Sequence, residues 1–139
     1  MNQDMGHKQK GAMLLEALVG ILVFSIGILA LLGMQALSMQ ATIDAKYRSE
    51  ASFLANEIIG VMWVDRAAIA DYDTTTGAGT LQRTAWMNRV VAVLPNATGA
   101  NAPTIAISGR QATVTVRWMR PGETAGNRHE VVAHINDPS

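Results

Sequence analysis

The apolar positions of this chain are spread unevenly. From Ala17 to Met34, eighteen residues pass without a charge, and Ser25 is the one polar side chain among them. At about 1.5 Å of rise per residue such a run reaches roughly 27 Å, close to the hydrocarbon thickness of a bilayer. The pattern therefore predicts a membrane-crossing helix. Lys8 and Lys10 precede the run, whereas Asp44, Lys46, Arg48 and Glu50 mix both signs behind it. That asymmetry predicts a cytoplasmic N-terminus with the remainder facing outward.

The helical period continues past the uncharged run. Tyr47, Ala51, Leu54, Ala55, Ile58, Val61 and Met62 fall on one stripe of a 3.6-residue helix, with Lys46, Arg48, Ser49, Glu50, Ser52, Asn56 and Glu57 opposite. Phe53, Ile59 and Trp63 break the pattern, and no proline occurs before Pro95. One continuous helix from about residue 13 to about residue 65 is predicted, apolar all round in its first half and amphipathic in its second.

Beyond Asp71 the chain changes character. Tyr72 to Thr80 reads as a turn-rich loop, and Asn96 to Pro103 as another. Between them, Trp86, Val90, Val93 and Leu94 recur at helical spacing within a segment from Thr84 to Leu94 that Pro95 closes; a strand is the competing reading. Ile105 and Ile107, then Val114, Val116 and Trp118, alternate with polar residues about a Ser-Gly-Arg turn at 108–110. This predicts a hairpin with one buried face, Thr113, Thr115 and Arg117 pointing to water. Pro121 to Asn127 forms a second turn region, and Val131, Ala133 and Ile135 mark a third strand. The expected fold class is α+β: a long N-terminal helical spine carrying a small antiparallel sheet.

Composition narrows the field only a little. In 139 residues there is room for one domain and a long terminal element, and 11 Lys+Arg balance 11 Asp+Glu. Nothing in that balance points to nucleic acid. The chain contains no cysteine, which excludes a disulfide framework and thiolate chemistry.

Glu16 is the sharpest oddity. A carboxylate within an apolar helix costs about 2.5–3.5 kcal/mol on insertion scales, so it normally finds a partner or snorkels to the membrane surface. Its setting, GAMLLEALVGILVFSIGILAL behind a basic leader, resembles the prepilin signature of type IV pilins and type II secretion pseudopilins. The resemblance implies a pilin-like fold with a leader at 1–11 and a transmembrane, filament-core helix at 12–38. It implies a periplasmic head at 39–139 that includes the amphipathic half of the helix. It also implies a prepilin peptidase that cuts after Gly11 and methylates the amine of Ala12. Glu16 then neutralises the Ala12 amine of a neighbouring subunit, so that the pair sets the assembly register.

This sequence departs from that signature at Ala12, where the family usually has Phe or Met. It also lacks the helix-breaking proline and the C-terminal cysteine pair of many major pilins, leaving Gly27 and Gly33 as the local weak points of the helix. Those absences point to a minor subunit. SIGILALLGMQ, SFLANEIIGVMW, Trp86 ahead of Leu94-Pro95, and TVTVRW together resemble the PilV family of type IV pilus modification proteins. The I-type pseudopilin of type II secretion is the alternative. The resemblance implies other minor pilins, the major pilin, prepilin peptidase and the inner membrane as partners. It implies no cofactor and no nucleic acid.

Other features of the sequence compete with this reading only weakly. Ala36-Leu37-Ser38 faintly resembles a signal-peptide cleavage site, but the apolar core before it would be about twice the usual length and contain a glutamate. His129 and His134 fall on opposite faces of a strand, which disfavours a metal site. Asp65, Asp71 and Asp73 lack the spacing of a calcium loop. Asn96-Ala97-Thr98 is formally a glycosylation sequon. Trp63, Trp86 and Trp118 read as core, and no nucleophile-elbow context accompanies the Ser, His and Asp residues, so an enzyme is not expected. The rival from another functional class is a binding module that the helix merely tethers to a membrane.

Overall fold

A computed structural model describes residues 5–136. Helix α1 covers Met5–Val64 and is followed by a kinked 3-10 helix over Arg66–Tyr72. Helix α2 covers Leu81–Val93, a short 3-10 turn covers Gly99–Asn101, and strands β1 (Thr104–Ser108), β2 (Gln111–Trp118) and β3 (Asn127–His134) form an antiparallel sheet in that order. The fold is α+β, a long N-terminal helix with a small three-stranded sheet, as expected. The residues divide into two compact units, 1–43 and 44–139.

In the second unit one apolar cluster organises everything. Ala51, Leu54, Ala55, Ile58 and Met62 of α1 are buried in it, with Tyr47 and Val61 packed at its margin, so the stripe read from the period is the face that packs. Ile59 is buried as well, while Phe53 and Trp63 stay exposed at 63% and 41%. Trp63 thus departs from the expected core role, whereas Trp86 and Trp118 fill it.

Helix α2 begins at Leu81, three residues earlier than its apolar spacing indicated, because Thr80 caps it: the Arg83 N–H donates to Thr80 Oγ1 at 3.0 Å. Trp86 and Val90 face the core, and the Trp86 indole N–H donates to the Leu54 carbonyl at 2.8 Å, fastening α2 to α1. Val93 is exposed, and Leu94, already extended, turns inward in its place.

The hairpin forms with the expected turn. Ser108 pairs with Gln111, and Gly109 takes φ +59° at the first turn position, as a tight type II′ connection requires. Ala112, Val114, Val116 and Trp118 are buried on one face. The opposite face is not open water, contrary to expectation. Thr115 is 5% exposed, and Thr113 and Arg117 are half-buried. The cause is position: β2 is the central strand, so β1 and β3 flank its outer face, where the Thr115 hydroxyl donates to Glu130 at 3.3 Å and Arg117 donates to the Ala102 carbonyl at 3.2 Å. Strand β3 starts at Asn127, before the expected Val131, and Ile135 is buried just beyond its end.

The segment 72–80 is the expected turn-rich loop, and Tyr72 and Asp73 are buried at its start. The Tyr72 hydroxyl donates to Asp65 at 3.0 Å, and burial together with that carboxylate raises the phenol's pKa.

Candidate functional site

Of the expected leader, residues 1–4 lie outside the described residues; from Met5 the backbone is already α-helical and passes through Gly11 without a break. Gly11, Ala12 and Glu16 all lie on α1 and are exposed. Ala12 and Glu16 stand four residues apart, hence on one face and about 6 Å apart along the axis. A Cβ at Gly11 would meet nothing within 4 Å, so no packing inside the chain requires glycine there. Among the described residues Glu16 has no ion-pair partner.

Behind Glu16 no charged side chain occurs until Asp44, and every residue from 11 to 43 is exposed. Phe24, for example, is 70% exposed. The polar groups of this stretch are partly satisfied within the helix itself: the Ser25 hydroxyl donates to the Ile21 carbonyl at 2.7 Å and the Thr42 hydroxyl to Ser38 at 2.9 Å. A helix that meets its own backbone and hydroxyl demands while presenting apolar side chains all round suits lipid or a bundle of like helices. By length and composition it can cross a membrane.

The second unit holds two polar features that spacing alone did not reveal. The first is Asp73, 7% exposed. Its Oδ1 accepts from the Thr75 hydroxyl (2.6 Å), the Thr75 N–H (2.8 Å) and the Thr76 N–H (3.0 Å), and its Oδ2 accepts from the Ile107 N–H of β1 at 2.9 Å. The Thr75 hydroxyl leads in holding this carboxyl far below the usual carboxylate range, with the backbone donors of Ile107, Thr75 and Thr76 behind it. Arg83 donates to the carbonyls of Asp71 and Asp73 and closes the loop from the α2 side. Next to Asp73, Thr74 clamps β1 further. Its N–H donates to the Ile105 carbonyl at 2.9 Å, and its hydroxyl oxygen accepts from the Ile105 N–H at 3.1 Å. The only available sequence signal was Asp73 followed by three threonines, a turn-forming run.

The second feature is a cleft of about 180 Å³ between α1 and α2, where Glu57 pairs with Arg89 over Ile58 and Trp86. A separate network ties the turn after β2 to α1: Arg120 pairs with Asp44 at 2.6 Å and with Glu123. The side-chain hydrogen bond that Arg120 donates to Glu123 raises the Arg120 pKa and lowers that of Glu123.

The remaining candidates do not converge. His129 is half-buried on the inner face of β3 while His134 is exposed on the other, and no group of three or more His, Cys, Asp or Glu suited to a metal occurs among the described residues. Asp73 spends both oxygens on protein donors, which leaves Asp65 and Asp71 without a shared calcium cage. The Asn96 amide of the sequon donates to the Met119 carbonyl at 3.0 Å, holding a residue whose φ is +51°. Comparison of the chain with protein-family models, with curated proteins and with solved structures finds no match.

Proposed function

We propose that this chain is a minor subunit of a type IV pilus, similar to PilV, that is matured by cleavage after Gly11 and methylation of Ala12. The observation that carries the reading is one constellation. A glycine, a new N-terminal residue and a single carboxylate one helical turn on stand at the head of an exposed helix that stays uncharged as far as Asp44. Cleavage creates an ammonium group at Ala12, and the carboxylate of Glu16 on an adjacent subunit is its natural counter-charge. In an apolar bundle an unmatched charge is costly, so subunits settle in the stagger that pairs the two groups. The reading places the chain first in the inner membrane, with its head in the periplasm, and then in the filament with other minor pilins and the major pilin.

The test is the N-terminal mass of the protein extracted from membranes. The expected species starts at Ala12 and carries one extra methyl group, and Gly11→Val abolishes it because a branched side chain obstructs the scissile bond. Recovery of a chain starting at Met1, or near Gln40, refutes the proposal. Recovery of the mature chain in sheared pili then separates a pilus subunit from a secretion pseudopilin.

A further inference from the structure

We draw no further inference here: the strongest candidate, the open edge of the sheet along β3 from Arg128 to His134, takes a second copy of this chain and a strand of another protein equally well, and nothing in the structure shows which of them covers it.

Discussion

Replacing Asp73 tests whether a buried carboxylate fastens the loop after Tyr72 to the sheet. Three of its four accepted hydrogen bonds, those from Thr75 and Thr76, are local and define the turn; the fourth, from Ile107, spans 34 residues and joins the loop to β1. A hydrogen bond to a charged acceptor contributes about 1.5–3 kcal/mol, and a lost turn bond leaves a donor that water can still reach. The Ile107 bond dominates, and Asp73→Ala is expected to lose about 3 kcal/mol. Asp73→Asn retains one carbonyl acceptor and the shape but forfeits the charge, so it falls between the two.

The dependence on pH supplies an independent check with a definite sign. The folded-state pKa of Asp73 is depressed, so its contribution is fully present above the unfolded value of about 3.9 and fades as pH falls below it toward the lower folded value. The stability gap between wild type and Asp73→Asn should be widest at neutral pH and should narrow below about pH 4. Urea unfolding in detergent of the two proteins in a Trp63→Phe background, followed by the fluorescence of buried Trp86 and Trp118, measures that gap without a reporter on α1. A loss under about 1 kcal/mol in Asp73→Ala, or a gap that stays constant down to about pH 2.5, refutes the reasoning.

Trp118→Ala empties a site only 2% exposed and should cost about 3–5 kcal/mol in urea unfolding followed by the remaining Trp86 fluorescence; a cost near zero would mean the ring is not packed. Gly77→Ala should cost about 1–3 kcal/mol, because a Cβ there would lie 2.6–2.7 Å from the carbonyl oxygens of Ala70, Asp71 and Asp73, none of which is a flexible side chain. Under the pilin reading, Glu16→Ala leaves membrane insertion and cleavage at Gly11 intact but lowers recovery of the subunit in sheared pili, and Glu16→Gln behaves alike. Normal recovery of both variants, judged by immunoblot, removes the register role.

What could be read ahead of the structure was whatever repeats along the chain. The stripe Ala51, Leu54, Ala55, Ile58 and Met62 and the alternation Val114, Val116 and Trp118 each follow a period that the backbone geometry enforces. Burial of Thr115 was illegible, because it depends on β2 lying between two other strands, and strand order is not written in any local period. Asp73 was illegible for a related reason: its decisive donor, Ile107, belongs to another element, and an aspartate among threonines otherwise reads as an ordinary turn. Trp63 was misplaced because aromatic residues default to core on average, whereas its position lies off the stripe that packs. At the N-terminus the structure adds to the spacing of Gly11, Ala12 and Glu16 only that all three are exposed on α1, because the chemistry proposed for them takes place between this chain and others.

The division of the chain into two units sharpens what any variant can mean. Every residue of the apolar core lies between Ala51 and Ile135, and no residue from 11 to 43 is buried. Substitutions in that first stretch therefore remove no contact on which the core depends, and their effects must come from what surrounds the helix, whether lipid or neighbouring chains. Substitutions in the core act first on folding and only then on anything the head contacts. The two can be separated in one sample. If Glu16→Ala leaves the unfolding midpoint of the tryptophan signal where it was and yet the protein fails to join its partners, a folding defect of the core is eliminated as the cause. An assembly defect that appears only together with a lowered midpoint carries no such message. Glu16 is therefore the informative position: it sits in the stretch that has no fold of its own to lose, and it carries the one charge there that a neighbour could need.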